Sequence, residues 1–216
     1  MMIKILGTLI LLCAIPSHAA VEQWRGKLEI SKQISLVVGV NIDTDTQTLT
    51  LDSPNQKMFE YVPTEASVSD KAVSFSDNKL NASYEGQFVD GKLVGTFTQG
   101  KARPLTFSLL TADAKSQLAL EGTYAGALDI NGKKLPLELQ VAALEDGFHA
   151  TLDSPAQQSF GIPLSQFAIT TQVLSFESEM INAAFKGTMK EGEYNGTFTQ
   201  GFAMPLSLKK KQNERK

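Results

Sequence analysis

Three residue types of a charge-relay triad stand close together in the second half of the chain: His149, Asp153 and Ser154. Acyl transfer needs a nucleophile, a base and an orienting acid converging around an oxyanion hole, and residues on one strand and its turn rarely converge in that way. The alternation Phe148, Ala150, Leu152 turns His149 outward, and the matching position in the first half is Thr48, so no catalytic role is predicted for this group. Asp52 and Asp153 are candidates for an acid/base pair of the glycosidase type. Each, however, opens its own Asp-Ser-Pro turn in a different half of the chain. Scattered carboxylates lack calcium-loop spacing, and neither a phosphate loop nor a dinucleotide fingerprint occurs. The expectation is a non-enzyme with no catalytic, cofactor-binding or metal residues.

The remaining polar and aromatic candidates have structural or ligand-contact roles. Gln99 and Gln200 share a strand face with Phe97 and Phe198, and an amide at that position must find partners or cost free energy. They are predicted to staple the Asp-Ser-Pro turns, with Asp52 and Asp153 accepting hydrogen bonds from their own loops as Asx-turns do. Trp24 and Tyr124 are predicted to cover a barrel end.

The elements that must position these residues are duplicated. GTFTQG occurs at Gly95–Gly100 and again at Gly196–Gly201, and Leu51-Asp52-Ser53-Pro54 recurs as Leu152-Asp153-Ser154-Pro155, both 101 positions on. Upstream the displacement is 100, relating WRGKLEI at Trp24 to YAGALDI at Tyr124. Inside each copy the apolar residues alternate, as in Ile34, Leu36, Val38, Val40 and in Leu135, Leu137, Leu139, Val141. Asn131-Gly132, Asp146-Gly147 and Asp90-Gly91 supply tight-turn chemistry between the runs. Copy two reads as strands near 122–130, 134–142, 147–153, 165–170, 173–179, 182–190, 193–200 and 203–209. An open meander would expose its edges. The predicted fold class is therefore all-β, two tandem eight-stranded antiparallel up-and-down barrel-like domains, at 20–110 and 122–209, with a modest interface. Residues 111–121 read as a linker of helical tendency and 210–216 as a basic tail.

The opening MMIKILGTLILLCAIPSHAA has one cation, an apolar run and a small-x-small ending, the pattern of a secretory leader cut after Ala19. The run is too short and wrongly flanked for a membrane span, and no later segment is apolar enough for one. Cys13, the sole cysteine, would leave with the leader, and Leu12 before it speaks against lipid attachment. A cysteine-free exported chain fits a bacterial periplasm or exterior. The net charge of -3 becomes -4 once Lys4 is removed, and no basic stripe interleaved with aromatics points to nucleic acid.

As a set, W-x-G-x-L, L-D-S-P-x-Q, G-I-P, G-T-x-x-Q-G and P-L resemble the small β module found ahead of secreted bacterial α/β-hydrolases and other exported enzymes. Each copy carries the set once, although copy one has Met58–Pro63 where copy two has Ser159-Phe160-Gly161-Ile162-Pro163. No G-x-S-x-G elbow occurs in the chain. The resemblance implies a non-catalytic accessory module, with an exported enzyme or another protein as its partner. Binding through barrel rims or the interdomain groove is the leading reading, a lipocalin-like carrier of a small apolar ligand the second, and a hydrolase the third.

Overall fold

A computed structural model describes residues 21–212; the expected leader, residues 1–19, lies outside them, as do the last four residues of the expected basic tail. The first barrel comprises β1 (Glu22–Glu29), β2 (Ser35–Asp43), β3 (Thr48–Ser53), β4 (Met58–Tyr61), β5 (Glu65–Val68), β6 (Ala72–Asp77), β7 (Ala82–Val89), β8 (Lys92–Gln99) and β9 (Lys101–Leu109). The second comprises β10 (Gly122–Ile130), β11 (Lys133–Leu144), β12 (Gly147–Ser154), β13 (Ser159–Pro163), β14 (Gln166–Ile169), β15 (Val173–Ser178), β16 (Ala183–Lys190), β17 (Glu193–Gln200) and β18 (Phe202–Lys210).

Each unit has nine strands where eight were expected, and the extra one has a physical cause. Every hydrogen-bonded pair is antiparallel, β1 pairs with both β2 and β9, and the sheet order runs β4-β3-β2-β1-β9-β8-β7-β6-β5. That order forces β4 and β5 to run in the same direction. They are two halves of one stave, the first bonded to β3 and the second to β6. The second barrel repeats this with β13 and β14. Each curled, barrel-like sheet therefore has eight stave positions, and the two edge strands, β4 and β5 or β13 and β14, divide one of them. The half at Ser159–Pro163 escapes a period-two reading because Gly161 adopts a left-handed φ of 65° beside a register shift, which interrupts the alternation.

The interiors are packed. Phe75 stacks on Tyr84 at 5.7 Å and 23°, and Phe176 on Phe185 at 5.4 Å and 25°. Phe97 and Phe198, the phenylalanines of GTFTQG, meet Phe75 and Phe176 at 6.4 Å in both barrels, with interplanar angles of 58° and 59°. The first glycine of the motif lets two backbones meet. A Cβ at Gly95 would stand 2.2 Å from the Glu85 carbonyl oxygen, and one at Gly196 2.2 Å from that of Lys186. The barrels are creased where these glycines pair with Gly86 and Gly187.

Between the barrels, Thr111 caps the short helix α1 (Ala112–Gln117) by accepting from the Ala114 amide at 3.3 Å. The end of the second barrel is longer than expected: β18 runs to Lys210, and the Lys211 amide bonds to the Thr123 carbonyl at 2.7 Å. The first lysines of the basic run are thus part of the barrel. The Lys210 ammonium donates to the Ala119 carbonyl at 2.6 Å, and Lys211 reaches the Glu138 carboxylate at 2.5 Å.

Candidate functional site: barrel mouths and the interdomain face

The L-D-S-P-x-Q motif is a structural device. Ser53 donates to the Gln56 side chain at 2.8 Å and Ser154 to that of Gln157 at 2.7 Å, bracing a 3-10 turn that begins at Pro54 or Pro155. Proline suits that first position, where an N–H has no partner. Asp52 accepts from the Glu60 amide and Asp153 from the Gly161 amide, both at 2.8 Å. These amides lie across the bulge in β4 and β13, so the aspartates tie the broken stave to its neighbour and form no Asx-turn within their own loops.

The glutamines also depart from expectation. Gln99 donates to the Leu80 carbonyl and Gln200 to the Ile181 carbonyl, each at 2.9 Å. They fasten the turns between β6 and β7 and between β15 and β16, away from the Asp-Ser-Pro loops. Both side chains are exposed; the end of the strand carries them beyond the apolar face that Phe97 and Phe198 occupy.

His149, Asp153 and Ser154 do not converge. Asp153 spends its carboxylate on Gly161 and on the Gln140 amide at 3.1 Å, and Ser154 serves Gln157. The His149 ring meets the Ser35 carbonyl of the first barrel at 3.0 Å. Burial lowers its pKa below the ordinary histidine value; Lys27 adds to that effect, while the Ser35 bond and Glu29 oppose it.

The face holding His149 is where the barrels pack, and its centre is a charge cluster that alternation alone reads as a solvent face. Arg25 points outward from β1 and is fully buried, bonding Asp52 at 2.7 Å and Asn41 at 3.2 Å, with Glu121 at 3.7 Å. Glu121 accepts from the Ala143 amide at 3.0 Å, so the cluster spans both barrels. Gly39 opposite Arg25 leaves the necessary room: a Cβ there would lie 2.3 Å from the guanidinium. In the second barrel Ala125 replaces Arg25 and Glu138 replaces Gly39. Gln140, one methylene longer than Asn41 at the equivalent position, reaches Asp153 instead. Glu138 takes both Lys57 and Lys211. Burial would raise its pKa, but the two ammonium groups outweigh it and hold the carboxyl below its ordinary value.

Trp24 and Tyr124 line the equivalent end of each barrel, 5% and 2% exposed. The two ends differ. In the first barrel a cavity of about 330 Å³ opens between Trp24, Ile42, Val68 and Phe88, with Glu22, Thr44, Gln47, Ser69 and Asp70 around it. Trp24 packs on Phe88 at 5.3 Å, and its indole N–H donates to Glu22 at 3.1 Å. In the second barrel Tyr194 stands where the first has Leu93. Its hydroxyl crosses to the Thr170 carbonyl at 2.5 Å, and its ring packs on Tyr124 at 5.7 Å. Thr170 is the counterpart of Ser69, which lines the first cavity, so the tyrosine spans the space that is open in the first barrel. An interdomain groove of about 510 Å³ lies between Gln33 and Pro163, Leu164, Ser165, Glu179 and Met180.

No protein-family model, curated protein or solved structure matches this chain. Among the described residues no group of three His, Cys, Asp or Glu side chains is placed to hold a metal, and no helix is long and apolar enough to cross a membrane.

Proposed function

We propose that the chain is an exported, non-catalytic binding module that takes an apolar group at the mouth of its first barrel, with the second barrel as a packed scaffold. The observation that carries this reading is the difference between the two mouths. The duplicated cores place their bulk differently, with Trp24, Phe88, Leu93 and Phe107 in the first where Tyr124, Met189, Tyr194 and Leu208 stand in the second, and a cavity remains over Trp24 and Phe88 where Tyr194 crosses to Thr170 in the copy. The cavity is at the lower end of the range of small-molecule sites, roughly 300–1,000 Å³, and its lining combines the apolar Trp24, Ile42, Val68 and Phe88 with five polar side chains. A service to an exported enzyme follows from the resemblance of the L-D-S-P-x-Q and G-T-x-x-Q-G set to modules that precede such enzymes.

Trp24 is the only tryptophan in the chain, so its fluorescence reports on the mouth alone. Titration with the neutral probe N-phenyl-1-naphthylamine is expected to quench Trp24 saturably, and Leu93→Tyr, which copies the plug at a fully buried position and should cost about 1–3 kcal/mol by overpacking, is expected to abolish the quenching in protein that stays folded. Quenching that survives in a folded Leu93→Tyr protein would refute the assignment.

A further inference from the structure

We infer that the first mouth selects a cation: a small amphiphile with an aromatic or aliphatic body and an ammonium head. This deepens the reading above and rests on it. The ionisable side chains lining the cavity, Glu22 and Asp70, are both acidic, and the other polar lining groups, Thr44, Gln47 and Ser69, are neutral. The floor beneath them is Trp24 and Phe88, packed together at 5.3 Å. Aromatic rings and carboxylates lining one cavity are the two features that recognise an alkylammonium, the first through the quadrupole of the ring and the second through charge, and the half-buried Phe88 offers more of its ring than Trp24, which is 5% exposed. An anionic head on the same body would meet two like charges and no compensating cation in the lining.

Glu22 is held in place. Its carboxylate accepts the indole N–H of Trp24, which fixes a negative charge at the edge of the aromatic floor. Asp70 lines the same cavity from the turn between β5 and β6. The second barrel supplies the internal contrast. The positions corresponding to Ser69 and Asp70 are Thr170 and Thr171, and Thr170 is occupied by Tyr194. Apolar filling and absence of the acid therefore go together in one copy, and opening and acidity go together in the other.

The test is calorimetric titration of the full chain with three ligands that share a 3-phenylpropyl body and end in trimethylammonium, hydroxyl or carboxylate. The ammonium ligand is expected to bind about tenfold more tightly than the alcohol at low salt, and the carboxylate more weakly than either. Glu22→Gln keeps an acceptor for the Trp24 N–H, and Asp70→Asn keeps the size of the side chain. Each should weaken the ammonium ligand about threefold and leave the alcohol unchanged. Equal affinities across the three heads would overturn the cation assignment while the mouth itself stands. Failure of all three to bind, together with failure of the neutral naphthylamine, would overturn the mouth as a site. A preference for the ammonium that persists in the Glu22→Gln/Asp70→Asn double variant would place the recognition elsewhere and also overturn the assignment.

Discussion

At the scale of single residues the two copies act as controls for each other. Glu60 and Gly161 occupy the same bulge position with φ of 53° and 65°. The left-handed region costs a residue with a Cβ about 1 kcal/mol, and nothing lies within 4 Å of a Cβ at Gly161, so the cost there is purely conformational. Glu60→Gly is expected to stabilise the first barrel by about 1 kcal/mol and Gly161→Ala to destabilise the second by a similar amount, both read from urea midpoints. Arg25 gives a larger effect. Removing one partner of a buried charge cluster leaves the others uncompensated at a cost of about 3–5 kcal/mol, so Arg25→Ala should lower stability by that order, even though alanine is the residue the second barrel carries at this position. The role of Arg25 was hidden in the sequence because an outward residue on an alternating strand reads as solvent-facing, and the second barrel that covers it is far away along the chain. The motif residues were visible as a repeated set, but their partners were not: Gln99 and Gln200 find backbone carbonyls 19 residues back, in a turn that spacing alone does not single out.

At the scale of elements the weak point of each barrel is the broken stave. In the first barrel Asp77 closes the break, accepting from Tyr61 at 3.0 Å, from Thr64 by both its amide and its hydroxyl, and from the Leu80 amide at 2.7 Å. In the second, Ser178 does so with one bond to the Pro163 carbonyl at 2.8 Å. The Leu80 amide, helped by Tyr61 and Thr64, holds the Asp77 carboxyl below its ordinary value. A carboxyl depressed by folding contributes in full above the unfolded value of about 3.9, and the contribution is lost as pH falls through the folded value. The break in the first barrel should therefore loosen below about pH 4, while the break in the second, closed by a serine hydroxyl, should not respond in this way. Asp77→Asn should flatten that dependence, as hydrogen exchange of β5 and β6 amides against β14 and β15 amides would report. The order of staves was legible from alternation and Asn-Gly or Asp-Gly turns. The break was not, because the bulge at Gly161 and the proline after it remove the period that marks a strand.

At the scale of the whole molecule the barrels share a buried face. Val37 and Ala142, outward on β2 and β11, are fully buried and belong to neither core. His149 contributes its neutral form to this contact, against the Ser35 carbonyl. A base whose pKa is lowered by burial contributes in full above the unfolded value of about 6.5. As pH falls below that, the separated or unfolded state takes the proton first, and the contact weakens until the buried value is passed. Smaller protection factors for the Val37 and Ala142 amides below about pH 6.5, after correction for the intrinsic pH dependence of exchange, are the expected outcome, and the change should disappear in His149→Thr.

The account turns on one mouth being a site and its duplicate being closed, and methyl-resolved NMR of the full chain during titration with the 3-phenylpropyl ammonium ligand tests this most directly. Ile42 and Val68 line the first mouth, and Val141 and Ile169 are their buried counterparts in the second. Saturable shifts at Ile42 and Val68 with Val141 and Ile169 unmoved are the predicted result. Equal shifts in both barrels, or shifts confined to Leu164 and Met180 of the interdomain groove, would contradict it.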